Sequence, residues 1–265
     1  MRESDSATLM TEGSIWKKIT FFAVPIFLGN LFQQMYNTAD SLIVGNFLGS
    51  NALAAVSSSG NLIYLMIGFF NGIALGAGVV IARYFGARDQ ENVEKAVHTT
   101  VAFGIVASIV LTIVGVFFAP QILVWMQTPA NVMPESTEYF RVYFMGSAGF
   151  VMYNMFVGIL QAVGDSKHPL YYLILSSIIN VVLDIVFITV FDMGVGGAAF
   201  ATDISQVVSA VLCMIQLMRS KAEYRLNLRK IRFEWDIFKQ VIQFGLPSGF
   251  QNSIIAIPNV VVQSN

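Results

Sequence analysis

Residues 219–239 read Arg-Ser-Lys-Ala-Glu-Tyr-Arg-Leu-Asn-Leu-Arg-Lys-Ile-Arg-Phe-Glu-Trp-Asp-Ile-Phe-Lys and hold seven of the 15 lysines and arginines in the chain. Long apolar segments flank this stretch on both sides. In proteins that cross a bilayer several times, the short loops rich in Lys and Arg stay in the cytoplasm. The stretch therefore predicts a multi-pass membrane protein and serves as a reference point for its orientation.

The composition leads to the same class. Of the 265 residues, 55% are hydrophobic and only 12% are charged, and the mean hydropathy is +0.67. A soluble globule of this length would need more polar surface. The net charge of -1 gives no reason to expect nucleic acid or another polyanion as a partner. The single cysteine, Cys213, excludes an intramolecular disulfide and a cysteine metal cluster.

Six apolar segments are each long enough to cross a hydrocarbon core of roughly 30 Å. We expect helices over residues 15–47, 52–83, 93–118, 137–161, 169–191 and 196–218, and a seventh from about residue 237. Of the 15 basic residues, only Arg141 lies outside the amino end and the even-numbered connections. This asymmetry predicts an all-α protein of the cell membrane whose amino terminus is cytoplasmic.

The first and seventh helices begin alike, which suggests an internal repeat. When the sequence is aligned with itself at one fixed offset, Ile15, Lys17, Phe22 and Pro25 fall on Ile237, Lys239, Phe244 and Pro247. Many transporters consist of such repeats, although two amphiphilic helix starts can also match by chance. We therefore expect a six-helix lobe at 1–218, a basic linker at 219–236 and the start of a second lobe at 237–265. On this interpretation the chain is a fragment, and the missing carboxy-terminal lobe is its partner.

Polar residues within the apolar segments are costly in hydrocarbon and indicate function. In the first helix they recur three and four residues apart, on one face that we expect to turn toward the protein interior: Asn30, Gln33, Asn37 and Asp40. The fifth helix carries Asn180 and Asp184 at i and i+4. The sixth carries Thr202 and Gln206 on one face, with Asp203 about 100° around the helix.

Helix direction brings several of these residues to one depth. At 1.5 Å per residue, Asp184 lies roughly 22 Å above the cytoplasmic start of its helix, and Thr202 lies about 10 Å below the outer surface. Asp40 also falls near the outer end of its helix. Two carboxylates, an amide and a hydroxyl in one pocket suit a hard cation or a shared proton. The alternative is that these residues only bridge helices by hydrogen bonds.

Several motifs resemble those of multidrug and toxic compound extrusion (MATE) transporters over essentially the whole chain. They are Gly-Asn-Leu-Phe-Gln-Gln-Met-Tyr-Asn-Thr-Ala-Asp-Ser-Leu-Ile-Val-Gly-Asn-Phe-Leu-Gly at 29–49, Asn-Ala-Leu-Ala-Ala-Val at 51–56, Ala-Arg-Tyr-Phe-Gly-Ala-Arg at 82–88, Gln-Ala-Val-Gly-Asp at 161–165 and Gly-Gly-Ala-Ala-Phe-Ala-Thr at 196–202. The resemblance implies two six-helix lobes around a central cavity. It also implies export of amphiphilic, mostly cationic compounds in exchange for sodium or protons, with no enzyme activity and no cofactor.

The resemblance further implies that the amino-terminal lobe holds the coupling-ion site. Matched motif by motif, that site consists of Asp40, Asn180, Asp184 and Thr202, the same four residues that spacing and depth bring together. Asp203 departs from the family pattern, in which an uncharged residue is expected. It is either an additional ligand for a proton or cation, or it faces a polar crevice near the surface.

Weaker signals concern a hinge in the first helix, the lining of the cavity, helix packing and the two histidines. Pro25 removes a backbone hydrogen bond and is a candidate hinge in the first helix. Side chains that could line the cavity are Asn30, Gln33, Asn37, Met35, Tyr36, Met66, Tyr153, Gln206 and Asp203. The glycines at 68, 72, 76 and 78 predict close helix packing. His98 and His168, at the cytoplasmic ends, are expected on the surface.

The sequence therefore predicts alternating access driven by sodium or proton entry, with the lipid bilayer and small organic cations as partners. A flippase of lipid-linked precursors, with a related helical plan, should carry several cations for pyrophosphate within its cavity. An intramembrane enzyme would need a motif such as His-Glu-x-x-His within the spans. A channel would not need a second lobe, and saturable counterflow would distinguish it from a transporter.

Overall fold

The computed structural model describes residues 14–263, and within this range the side chains at all positions except 58, 61, 62, 64, 65, 67 and 252–263. Arg2, which contributes to the charge pattern, lies outside the described residues. Eight α-helices follow one another: α1 (Ile15–Leu48), α2 (Ser50–Gly86), α3 (Gln90–Trp125), α4 (Met133–Met145), α5 (Ser147–Ala162), α6 (Lys167–Thr189), α7 (Gly194–Arg219) and α8 (Trp235–Gln263). Between positions 14 and 263 there is no β-strand, which confirms the all-α class.

Five of the helices are long and apolar enough to cross a membrane, and the bent pair α4 and α5 raises the number to six. The first six predicted segments thus correspond to six candidate spans. Most helices extend a few residues beyond the predicted bounds, because hydropathy marks only the part of a helix suited to hydrocarbon. At the start of α3, for example, the side chain of Asp89 accepts the N–H of Asn92 and caps a polar first turn.

The prediction of one continuous helix over 137–161 is wrong. The chain bends by 49° between α4 and α5, at Gly146. A Cβ atom at Gly146 would lie 2.0 Å from the Cγ of Asp203 on α7, so only glycine fits there. Just beyond the bend, the hydroxyl of Ser147 forms a 2.9 Å hydrogen bond with that of Thr112 on α3. The bend therefore reflects tertiary contacts that hydropathy does not record.

α2 lies at the centre of the lobe and contacts α3, α4, α5 and α8, whereas α1 lies at its edge against α6 and α2. The closest helix approach joins α2 to α8. A Cβ at Gly72 would lie 2.1 Å from the backbone N of Gly249, and one at Gly76 would lie 2.3 Å from that of Gly245. The predicted close packing at Gly72 and Gly76 is confirmed. α8 is therefore bound tightly to the helices that precede it, while the proposed division of the chain into lobes stays a prediction.

Residues 220–234, which we call the strap, connect α7 to α8 and lie against the start of α3. His98 is only 1% exposed, so the expectation that it is a surface residue is wrong. Its Nδ1 lies 2.7 Å from the carbonyl O of Glu94, and its Nε2 lies 3.2 Å from the backbone N and 3.1 Å from the carbonyl O of Asn227. Both ring nitrogens therefore contact backbone groups, and one of them contacts the strap. His168 is half-exposed and pairs with Asp165, as expected of a surface residue.

Candidate functional site

Two carboxyl groups meet in the interior of the helical lobe. Asp40 of α1 is 8% exposed and Asp184 of α6 is fully buried. Each carboxyl group lies within the electrostatic environment of the other, so the two are neighbours. Two neighbouring carboxylates repel each other unless one of them binds a proton. Without that proton, a bound cation would have to offset the repulsion between them.

Asn180 connects this carboxyl pair to α7. In the orientation of its amide as placed, the Nδ2 atom donates to the Oγ1 of Thr202 at 3.3 Å. Rotating the amide by 180° lets the nitrogen donate to the Oδ2 of Asp184 at 3.1 Å and the oxygen accept the N–H of Thr202 at 3.3 Å. The rotated amide satisfies more buried groups and is the better assignment. The structure therefore brings together Asp40, Asn180, Asp184 and Thr202, from three helices.

Tyr36 belongs to the wall of the same site. Its hydroxyl group lies near the side chains of Thr202 and Gln206. The sequence analysis named Tyr36 and Gln206 only as possible cavity residues. Their spacing held a stronger signal, because Tyr36 precedes Asp40 by four residues, and Gln206 follows Thr202 by four, so each shares a helix face with a site residue.

Three buried oxygen atoms of this region have no hydrogen-bond partner among the described residues: Oδ1 of Asp40, Oδ1 of Asp184 and Oε1 of Gln206. A buried acceptor without a partner is costly unless it binds something. The described residues contain no group of three or more His, Cys, Asp or Glu side chains that could hold a metal ion. Carboxylate, amide and hydroxyl oxygens instead suit a hard cation or a proton.

Asp203 points away from this cluster, as its helical position predicts. Its carboxyl group lies directly over Gly146 at the bend between α4 and α5, where it interacts with the backbone N–H of that glycine. Asp203 is 8% exposed and therefore buried beside this bend, and its role as a ligand or as a residue of a polar crevice stays a prediction. Its position beside the first turn of α5 places a carboxyl group at the positive end of a helix dipole.

The polar face of α1 is not wholly interior. Of its four residues only Asp40 is buried, while Gln33 is half-buried and both Asn30 and Asn37 are exposed. Asn30 and Gln33 nevertheless line a cavity of the structure, and the expectation that the whole face turns toward the protein interior stays a prediction. Tertiary packing explains the difference: α1 contacts its neighbours along a narrow line that includes Pro25, Asp40 and Val44.

A cavity of about 760 Å³ lies between α1, α2, α5 and α6. Five amide side chains line it, together with aromatic rings and aliphatic groups; the amides are Asn30, Gln33, Asn71, Asn154 and Gln161. None of the lining side chains is charged. The contacts of α1 with the cavity run from Phe22 to Gln33, and at 1.5 Å per residue Gln33 lies about 10 Å along the helix from Asp40.

The predicted cavity residues divide into two groups. Asn30, Gln33 and Tyr153 line the cavity, as does the hinge candidate Pro25, through which α1 continues as one helix. Met35 is 59% exposed and Met66 packs against the core, so neither lines it. Asn71, Asn154 and Gln161 line the cavity but were not singled out. Each is an amide within an apolar segment, which is the signal that could have identified them.

Known proteins resemble this chain in both sequence and fold. The family model described as MatE matches residues 25–186. The "Probable multidrug resistance protein YoeA" of Bacillus subtilis (strain 168) is 30% identical over 258 residues, which cover 95% of this chain and 56% of that protein. The "Multidrug export protein MepA" of Staphylococcus saprophyticus is 22% identical over 252 residues, with the same coverage.

Two solved structures extend the likeness to three dimensions. The outward-facing conformation of a multidrug resistance MATE family transporter superposes with a TM-score of 0.88 at 27% identity, over 97% of this chain and 57% of that one. A MOP superfamily transporter from Pyrococcus furiosus superposes with a TM-score of 0.85 at 28% identity, over 95% of this chain and 56% of its own. The chain thus spans somewhat more than half the length of the relatives that it matches.

Proposed function

Because this chain belongs to the multidrug and toxic compound extrusion (MATE) family, we propose that it forms one lobe of a secondary active exporter of amphiphilic, mostly cationic compounds. Export is driven by the entry of sodium or protons. The relatives and the solved structures are about twice as long, so the transport cycle is proposed for an assembly in which a second six-helix lobe faces this one.

The observation that carries this proposal is the buried pair of carboxyl groups, Asp40 and Asp184, with Asn180 and Thr202 beside it. Ionisable residues at this depth are costly and are retained for function. One cation, or one proton, converts the pair from mutual repulsion to attraction. Its movement into the cell down the membrane potential releases about 2.3 kcal/mol per charge for every 100 mV.

The amide-lined cavity is the proposed drug site of this lobe. Amides offer donors and acceptors to varied polar groups, and the rings of Phe22, Phe85 and Tyr153 offer stacking and cation–π contacts. Since no charged side chain lines this cavity, its preference for positively charged drugs depends on these cation–π contacts. A flippase of lipid-linked precursors gains no support from it, because pyrophosphate would require cations.

α1 is the proposed link between the two sites. It contributes Asp40 to the ion site and the stretch from Phe22 to Gln33 to the cavity. Most of its residues are exposed, so it can shift with little loss of packing. Exchange requires that ion and drug favour different positions of this helix. A ligand that binds two states with equal affinity does not shift the equilibrium between them.

The orientation follows from the charges. We place the amino terminus, the α2–α3 connection and the strap on the cytoplasmic side of the cell membrane. Asp40, near the carboxyl end of α1, then lies toward the outer surface, where the coupling ion enters. The cavity lies in the cytoplasmic half, where a drug is collected.

The test is Asp184→Asn in the transporter with both lobes, compared with Asp192→Asn, which makes the same change at an exposed residue. Drug transport is measured in inside-out vesicles under separate sodium and proton gradients. We expect Asp184→Asn to lower ion-driven transport at least tenfold and Asp192→Asn to leave it unchanged. Undiminished transport and ion dependence in Asp184→Asn would exclude the proposed coupling site.

A further inference from the structure

The strap is an ordered part of the lobe. Besides the contact between His98 and Asn227, the Oγ1 of Thr99 accepts the N–H of Glu234 at 3.2 Å. Leu226 is 1% exposed, and its N–H donates to the carbonyl O of Leu217 at 3.2 Å. A segment held at both ends and in the middle presents its remaining side chains in a fixed arrangement.

Most of the seven basic residues between Arg219 and Lys239 lack an acidic partner among the described residues. Three of the seven basic residues form ion pairs: Lys230 with Glu94 at 2.8 Å, Arg232 with Glu234 at 3.1 Å and Lys239 with Asp236 at 3.7 Å. No carboxylate of the described residues pairs with the other four, which are all exposed: Arg219, Lys221, Arg225 and Arg229. The net charge of -1 for the whole chain conceals this local excess of positive charge.

Apolar side chains alternate with these cations. Leu228 is 47% exposed, Phe233 44% and Trp235 59%. The rings of Phe233 and Trp235 lie 6.0 Å apart, and the Nζ of Lys239 lies 6.0 Å from the ring of Trp235. Tryptophan with lysine and arginine is typical of the layer where headgroups meet hydrocarbon.

The location of the strap matches this chemistry. It begins where the candidate span α7 ends, at Arg219, and it ends where α8 begins, at Trp235. Both ends therefore lie at one membrane surface, and the nearest abundant anions are lipid headgroups. This placement favours a lipid over an acidic protein partner.

We propose that the strap, together with Arg219 at the end of α7 and Trp235 at the start of α8, is a binding surface for anionic phospholipids. Arg219, Lys221, Arg225 and Arg229 attract the phosphate headgroups, while Phe233 and Trp235 enter the acyl boundary beside them. The assignment to the cytoplasmic leaflet rests on the orientation proposed above, but the binding itself does not. Because the strap joins α7 to α8, bound lipid holds the junction between the first six spans and α8 at the membrane surface.

The test uses Trp235 as the probe. In a Trp16→Phe/Trp125→Phe background it is the remaining tryptophan of the chain. The full chain is reconstituted in phosphatidylcholine vesicles, and quenching of Trp235 by brominated phosphatidylglycerol is compared with quenching by brominated phosphatidylcholine. We expect several-fold preferential binding of the anionic lipid. Because each charge contributes up to about fivefold, Arg225→Gln/Arg229→Gln should remove most of this preference.

The matched control is Lys17→Gln/Lys167→Gln, which removes the same charge from exposed residues at the starts of α1 and α6 and should leave the preference unchanged. Raising the ionic strength from 0.1 to 1 M shortens the Debye length from about 10 to about 3 Å and should weaken the preference. Equal quenching by the two lipids in the otherwise unchanged chain would overturn the proposal, as would an equal loss of preference in the control. The failure of ion-driven transport in Asp184→Asn bears on the coupling site alone.

Discussion

At the residue scale, the proposed ion site depends on buried oxygen atoms that keep free lone pairs. Asp40, Asp184 and Gln206 each contribute one such atom. Asn180 and Thr202 connect α6 to α7 through the hydrogen bond in which the amide oxygen of Asn180 accepts the N–H of Thr202. The site therefore combines acceptors for an ion with a polar bridge between α6 and α7.

Thr202→Val tests the hydroxyl within this site. Valine keeps the shape of threonine but removes the Oγ1 atom, which lies 3.3 Å from the Asn180 amide. Loss of one buried polar partner costs about 1–3 kcal/mol. We expect the ion concentration for half-maximal drug transport to rise about tenfold. Thr202→Ser, which restores the hydroxyl, should behave like the unchanged transporter, and equal behaviour of both variants would contradict a role for Oγ1.

Gly146→Ala tests the bend between α4 and α5. The new Cβ would lie 2.0 Å from the Cγ of Asp203, so a helix or a side chain must move. Overpacking of this kind costs about 1–3 kcal/mol. We expect a matching loss in the free energy of unfolding in detergent. The control is Gly60→Ala in α2, where a Cβ would meet no atom of the described residues within 4 Å; a similar loss there would refute the packing argument.

At the element scale, the strap and α8 are tied to the first helices, although the sequence suggests that they belong to a boundary. His98 on α3 binds the strap, and the glycine pairs 72/249 and 76/245 bring α2 and α8 into backbone contact. Helices in such close contact move together or not at all. We therefore expect a rigid body that includes the first part of α8.

His98→Ala should loosen the strap. The substitution leaves the N–H of Asn227 without its partner and removes a buried ring from the contact between α3 and the strap. Because cleavage follows the population of the open form, an opening made easier by about 1–2 kcal/mol should speed tryptic cleavage after Arg225 or Arg229 roughly tenfold. His168→Ala, at a half-exposed histidine, should leave the cleavage rate unchanged. Equal protection in both variants would show that His98 does not hold the strap.

At the scale of the whole molecule, the distribution of charge predicts which surface faces the cytoplasm. Single cysteines at positions 192 and 221, in a Cys213→Ala background, test this orientation. A membrane-impermeant maleimide should label position 192 in intact cells and position 221 only after permeabilisation. Labelling of position 221 in intact cells would reverse the assignment and would also move the anionic lipid surface to the outer leaflet.

Most of the architecture could be predicted because each span carries its own signal. A run of about 20 apolar residues is identifiable without its neighbours, and period and depth alone brought Asp40, Asn180, Asp184 and Thr202 together. The break at Gly146 could not be predicted in this way. A glycine between Met145 and Ser147 gives no local sign of the carboxyl group of Asp203 that lies against it.

By itself the sequence determined the helical membrane class, the family and the residues that share each helix face. Only the tertiary structure decided that Asp203 lies against the bend at Gly146, that His98 is buried under the strap, and that Asn30 and Asn37 are exposed. The physical reason is the same in each case. The helical period relates side chains to their own axis, whereas burial depends on which distant helix packs against that face.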